Sequence, residues 1–259
     1  MDLGRDALLC AAAALAGAVN SIAGGGTLLS FPAAIAWGLP SIVANATNSV
    51  ALLPGSLASA WAYRGELRAS ARLARLLVPP AVVGSIAGAL LLHITPPRVF
   101  DAIIPWLVLG ATLLILFQRR VAAPRASSPP DASKARRRTL VAVGCQLAVG
   151  VYGGFFGAAM GIVMLGFLSL VVEGDIHAKN ALKNLLAVAI NGVASIYFLS
   201  AGLVSGRAAA IMTAGAVAGG YVGGQVARRI PANVVRSLVV AIGLGLSALL
   251  AYRALRGGQ

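Results

Sequence analysis

The chain has 259 residues, 59% of them hydrophobic and only 11% charged, against roughly a quarter charged in soluble domains. That balance excludes water as the main solvent of the fold and points to a lipid bilayer. The formal charge of +14, from 21 basic and 7 acidic residues, would suggest a nucleic-acid partner in a soluble protein. Here the basic residues fall between apolar runs and aromatics make up only 6%. Nucleic acid is therefore excluded, and the charge reads as the excess of Lys and Arg in cytoplasmic loops.

In chain order, eight apolar segments run approximately over 6–37, 42–62, 73–94, 99–118, 139–172, 178–200, 206–227 and 232–254. Lipid-exposed backbone must satisfy its own hydrogen bonds, so all are predicted as helices and the fold class is all-α, a polytopic membrane helix bundle. The first has the outline of a signal peptide, with Arg5 before an alanine-rich run. Asp2 and Asp6 make a poor basic leader, however, and the apolar pattern continues past any cleavage point, so it reads as a membrane segment. The turn at 63–75 carries Arg64, Arg68, Arg72 and Arg75, the last three at helical spacing and expected at the cytoplasmic headgroups. The stretch 119–138 holds Arg119, Arg120, Arg125, Lys134 and Arg136 to Arg138 around Pro129 and Pro130. It is predicted to be a basic cytoplasmic linker between a first repeat, 1–118, and a second, 139–259.

The duplication rests on one ungapped offset of 136 residues, which places Gly17 on Gly153, Gly25 on Gly161, Asn48 on Asn184, Gly84 on Gly220 and Gly88 on Gly224. Two repeats of about four segments, with a site at their interface, are a common transporter plan. The first segment of each repeat is too long for one crossing. A straight helix over 6–37 would measure about 48 Å against a hydrocarbon core of about 30 Å. Each also carries central glycines: Gly24, Gly25 and Gly26, then Gly153, Gly154, Gly157 and Gly161. Both segments are thus expected to be broken, with one arm dipping into the membrane. If that arm returns to its own side, the halves are inverted; if not, eight simple crossings make them parallel. Loop charge fits both, and inversion is the preferred expectation.

The stretch Asn20-Ser21-Ile22-Ala23-Gly24-Gly25-Gly26-Thr27 is the first candidate site. Consecutive glycines weaken the helix and let a ligand reach the backbone, and a half-helix starting there would offer free N–H groups and a positive dipole end to an anion. The plainer alternative is close helix packing. Asn45, Thr47, Asn48 and Ser49 put four polar side chains near the start of the second segment, to bind substrate or to join helices. In the second half Lys183 stands where Thr47 stands in the first, beside Asn184. An ionisable residue inside an apolar segment is a functional candidate, here a cation for an anionic substrate. Its alternative is to snorkel with Lys179 or pair with Glu173 or Asp175. No acidic residue lies deep in an apolar run, and His93 and His177 fall near segment ends. No metal cluster, phosphate loop or nucleophile–base pair is present, and Cys10 and Cys145 suggest neither metal nor disulfide. No catalytic residue, metal or cofactor is expected.

At these residues the sequence resembles the TauE/SafE family of sulfite and organosulfur anion transporters. The resemblance is carried by Gly24-Gly25-Gly26 with Leu28 and Pro32, by Ala46-Thr47-Asn48-Ser49, and by Tyr63-Arg64-Gly65. It extends through the glycine-spaced third helix into the second repeat. It implies a permease or exporter of the bacterial inner membrane with no ATP-binding part. The second repeat departs from the family pattern, reading Gly157-Ala158-Ala159-Met160-Gly161 where a glycine cluster is usual; Lys183 would compensate for the missing backbone donors.

The expectation is a secondary transporter of a small anion (sulfite, a sulfonate or a related carboxylate) working by alternating access between the repeats. Its site would comprise Asn20, Ser21, Gly24, Gly25, Gly26, Thr27, Asn45, Thr47, Asn48, Lys183 and Asn184. Its partners would be that anion and the lipid bilayer, with a homo-oligomer left open. The alternatives are a non-transporting membrane subunit and, less favoured, a membrane-embedded enzyme.

Overall fold

The fold comes from a computed structural model that describes residues 3–22, 25–62, 64–117, 132–171, 176–226, 237, 239–245, 247–248 and 252. Among these residues the chain is helical, with no strand. The helices are α1 (Leu3–Ile22), α2 (Thr27–Trp37), α3 (Ser41–Ala62), α4 (Arg64–Ala69), α5 (Ala71–Ile94) and α6 (Pro97–Leu116), then α7 (Ala132–Phe155), α8 (Met160–Val171), α9 (Ile176–Ser200) and α10 (Gly206–Val226). Residues 239–245 are helical as well.

Among the described residues, four helices are long and apolar enough to cross a bilayer, over Leu3–Asn20, Ala71–Ile94, Pro97–Leu116 and Ala178–Ser200. The first and fifth predicted segments each fold as two helices, α1 with α2 and α7 with α8. α7 begins at Ala132, inside the stretch read as linker, because Ala, Lys and Arg sustain a helix once the prolines are passed. Of the eighth predicted segment, only 237, 239–245, 247–248 and 252 belong to the described residues.

Several helix ends are set by local chemistry. α2 stops at Gly38, whose φ of 118° is open to glycine, and Leu39 N–H closes the end on Ala34 O at 3.2 Å. α9 ends the same way: Gly202 has φ 69°, and Leu203 N–H reaches Phe198 O at 3.0 Å. α6 opens on Pro97, whose missing N–H has no partner to lose at that position.

Exposure is inverted relative to a soluble protein. Leu8, Leu15, Val83, Ile86, Leu90, Trp106, Ile196 and Tyr221 are exposed, while Ser30, Asn45, Thr47, Asn48, Ser85 and Gln146 are buried. A bilayer removes the penalty on the first group; of the second, Ser30, Thr47, Asn48 and Ser85 make hydrogen bonds inside the protein, while Gln146 and the Asn45 Oδ1 atom have no partner among the described residues.

The most extensive contacts join α1 to α10 and α5 to α7. Both are close approaches of backbone to backbone. A side chain at Gly219 would meet the Ala14 carbonyl, at Gly215 that of Cys10, and at Gly17 that of Ala216. On the other pair, Gly84 faces the Leu147 carbonyl, Gly88 that of Val151, and Gly154 that of Ser85. Between apolar helices in lipid, such fit of surfaces is the main source of adhesion. α3 and α9 cross between these pairs, and Ser85 Oγ donates to Ile190 O at 2.7 Å, tying α5 to α9.

Polar contacts gather at one end of the bundle. Trp37 Nε1, at the end of α2, donates to Asp6 Oδ1 near the start of α1 at 2.9 Å. Arg207, at the start of α10, pairs with the same carboxylate. Ser41 bonds Asp101, joining the starts of α3 and α6. His93 Nδ1 and Tyr197 OH, 2.6 Å apart, join the ends of α5 and α9. α2 therefore finishes beside the beginning of α1. Arg64 stacks over Trp61 at 5.0 Å, and Arg72 and Arg75 are exposed, all near the α3–α5 connection.

Gly219→Val is expected to lower the thermal midpoint in detergent, because overpacking costs about 1–3 kcal/mol. Gly110→Ala, where an added carbon meets nothing within 4 Å, should leave it unchanged or raised. Equal midpoints for both variants would contradict the close α1–α10 approach.

Candidate functional site

The two interruptions, between α1 and α2 and between α7 and α8, are built differently. At the first, Gly25 has φ 91°, a value that favours glycine. Asn20 Oδ1 accepts the N–H of Gly26 at 2.8 Å. Leu28 N–H bonds Gly25 O at 3.0 Å, and Leu29 and Ser30 N–H bond Gly26 O at 2.9 and 3.2 Å. Of the expected backbone donors, that of Gly26 is therefore taken by Asn20, while Thr27 N–H has no acceptor among the described residues. Gly24 and the Ser21 side chain lie outside the described residues.

α3 packs its polar face on this break. Asn48 is buried, and its Oδ1 accepts a hydrogen bond from Ser30 of α2; its amide nitrogen has no partner among the described residues. Thr47 is fully buried, and its Oγ1 accepts Ser205 N–H at 3.0 Å, bracing α3 to the turn before α10. Asn45 points the other way, toward the second break: Nδ2 donates to Phe155 O at 2.9 Å.

At the second break, Phe156 and Gly157 N–H both bond Tyr152 O, at 2.8 and 3.0 Å, and Tyr152 OH donates to Ala158 O at 2.6 Å. Gly157 has φ 73° and Ala159 φ 58°; the alanine value is uncommon for a residue with a side chain. The Lys183 chain runs beside the first turn of α8: a side-chain carbon added at Gly161 would lie 3.5 Å from its Cδ. Lys183 and Asn184 are half-buried, and no ion pair or hydrogen bond engages the Lys183 ammonium among the described residues. Lys179 is covered to 8% exposure, also without an ion pair among the described residues. Glu173 and Asp175 lie outside the described residues.

The structure thus brings Asn20, Gly26, Ser30 and Asn48 into one cluster and Lys183 with Gly161 into another. The breaks meet through Phe31 and Phe156, edge to face at 5.4 Å, and through Asn45 and Phe155. No direct hydrogen bond joins Lys183 to the first cluster among the described residues. Sequence reasoning missed Ser30, Tyr152, Phe155 and Phe156. Ser30 alone carried a signal, one turn after the glycines and on the same face as Gly26.

Removing the Asn20 amide should leave Gly26 N–H without its acceptor, at about 1–3 kcal/mol for a buried donor. Asn20→Ala is expected to speed hydrogen exchange in peptides spanning residues 25–30, and Asn20→Asp to keep it slow. Unchanged exchange in Asn20→Ala would show that the bond does not hold the break.

Residues 9–250 match the family model described as sulfite exporter TauE/SafE. A probable membrane transporter protein of Haemophilus influenzae is 26% identical over 265 residues, covering 97% of each chain. The probable membrane transporter protein ORF9 of a Sinorhizobium species is 30% identical over 246 residues, 93% of this chain and 90% of the relative. The probable membrane transporter protein YfcA of Escherichia coli K12 is 30% identical over 252 residues, 93% of this chain and 87% of the relative. No solved structure gives a significant match. These relatives carry transporter names rather than enzyme names, and the apolar helices agree with a multi-pass membrane protein.

Proposed function

This chain belongs to the sulfite exporter TauE/SafE family, and from that premise we propose that it is a secondary transporter of a small oxyanion, sulfite or a simple sulfonate, in a bacterial inner membrane. The observation that carries the proposal is Lys183: a cation inside an apolar helix, laid over the first turn of α8 and without an acidic partner among the described residues. The acidic side chains described, Asp6, Glu66 and Asp101, sit near helix starts, and Asp6 is already paired with Arg207. A charge in that position calls for a mobile counter-ion, and the start of α8 adds the positive end of a helix dipole.

On this reading the first break supplies neutral donors. Thr27 N–H and the Asn48 amide nitrogen contact the anion at the Gly25–Gly26 turn. Asn20 and Ser30 act through the groups they hold. Asn184 flanks Lys183, and Thr47 braces α3. Together these groups replace the hydration shell of an oxyanion, whose oxygens are acceptors only.

Alternating access is proposed to use a duplicated, inverted plan. Two observations support it. Shifting α2, α3 and α5 by 136 residues lands each within three positions of the start of α8, α9 and α10. The same shift turns the α1–α10 contact into the α7–α5 contact, the two most extensive among the described residues. The Trp37–Asp6 bond returns α2 to the side where α1 began. Three crossings (α3, α5 and α6) then separate this hairpin from α7–α8, which would enter from the opposite side. The exposed Arg64, Arg72 and Arg75, with the basic residues before α7, support the cytoplasm as that second side.

The test is flux of labelled sulfite into proteoliposomes containing only this protein. Saturable flux that simple sulfonates inhibit is expected, and Lys183→Ala should reduce it at least tenfold, since a charge-assisted bond is worth about 1.5–3 kcal/mol. Normal flux by a folded Lys183→Ala protein would overturn the assignment of Lys183. No flux of any small oxyanion by folded wild type would overturn the transport reading.

A further inference from the structure

One buried acceptor is left without a partner. Asn45, 1% exposed, donates its Nδ2 to the carbonyl of Phe155, the last residue of α7, at 2.9 Å. That bond fixes which end of the amide is which, and leaves Oδ1 sealed from solvent with no hydrogen bond. An oxygen with spare lone pairs repels an anion; it demands a donor or a cation.

The helix end it meets is itself rich in acceptors. Because Phe156 and Gly157 N–H both turn back onto Tyr152 O, the carbonyls of Gly153 and Gly154 receive no N–H among the described residues. Phe155 O already holds the Asn45 amide. The C-terminal end of α7 also carries the negative end of its dipole. A helix end of this kind, buried without capping donors, needs another partner.

We infer that the Asn45 Oδ1 atom and the last-turn carbonyls of α7 form a binding site for a small dehydrated monovalent cation, sodium in character. Oxygen-only ligands suit a hard cation. No carboxylate stands at this break among the described residues, which disfavours a divalent ion and removes a carrier for protons. Broken helix ends and unwound carbonyls are the usual means by which transporters hold such ions.

The site joins the two halves of the chain, since Asn45 comes from α3 and the carbonyls from α7. Its role as a coupling site rests on the transport reading; the binding itself does not. Lys183 of α9, beside the first turn of α8 that follows the same break, opposes a cation until an anion neutralises it. Cation and anion therefore favour each other's binding, a reciprocal coupling.

The test is the thermal midpoint of the purified, substrate-free protein in sodium, potassium or N-methylglucamine chloride at one ionic strength. A ligand that binds only the folded state raises the midpoint with concentration. Sodium should raise it by several degrees over N-methylglucamine, potassium should do less, and Asn45→Ala should abolish the difference. Equal wild-type midpoints in all three salts would overturn the site and leave only a buried water at Asn45. A sodium effect that survives in Asn45→Ala would overturn the assignment to Asn45. If the variant does not fold, the wild-type comparison still decides. Saturable anion flux without a sodium effect would discard the cation site and keep the transporter.

Discussion

The constraint on which this structure depends is the cost of ending a helix inside a bilayer. Backbone N–H and C=O groups freed at a break have no water to turn to, and each unsatisfied one costs several kcal/mol in hydrocarbon. The chain breaks two long apolar segments, and some of its polar side chains stand where those breaks are repaired. Asn20 takes the Gly26 N–H, Tyr152 takes the Ala158 carbonyl, and Asn45 takes that of Phe155. What these repairs leave open at each helix start and helix end is what an ion can use. On the proposed reading, site and fold are one solution: the groups left unpaired by the break are the groups offered to a substrate.

The breaks are held in register by glycine. α1 against α10 and α5 against α7 approach until backbone meets backbone, which neither pair could do with side chains at Gly219, Gly215, Gly88 or Gly84. Each pair joins the first helix of one half to a later helix of the other. Close packing of this sort is rigid and favours motion of whole helix pairs over local adjustment. α3 and α9 lie between the pairs and carry Asn45, Thr47, Asn48 and Lys183, so that relative movement of the pairs would act directly on the polar groups.

Much of this could be read from the sequence, and the rest fails for identifiable reasons. Segment length and glycine content led to both interruptions, and helix bounds such as Ala71–Ile94 and Ile176–Ser200 fall within two residues of the apolar stretches. Asn45, Thr47 and Asn48 were legible as polar residues in an apolar setting, but their separate partners were not, since those come from α7, the turn before α10 and α2. The glycine spacing of α5 and α10 announced close packing without saying against what. The Asp6, Trp37 and Arg207 cluster was illegible because its members are scattered along the chain and only the return of α2 brings them together. The positive φ of Ala159 had no sequence signal at all, because alanine, like other residues with a Cβ, rarely adopts it.

The return of α2 to the end of the bundle where α1 begins is the geometry on which the proposed inverted plan rests. Single cysteines at Leu3, Gly38, Gly202, Gly65 and Arg137, in a chain with Cys10 and Cys145 replaced, would be probed with an impermeant thiol reagent on spheroplasts. Leu3→Cys, Gly38→Cys and Gly202→Cys are expected to react from outside, and Gly65→Cys and Arg137→Cys only after permeabilisation. Reaction of Leu3→Cys and Gly38→Cys from opposite sides would mean that α1 and α2 cross the membrane in line, and would contradict the inverted, broken-helix plan.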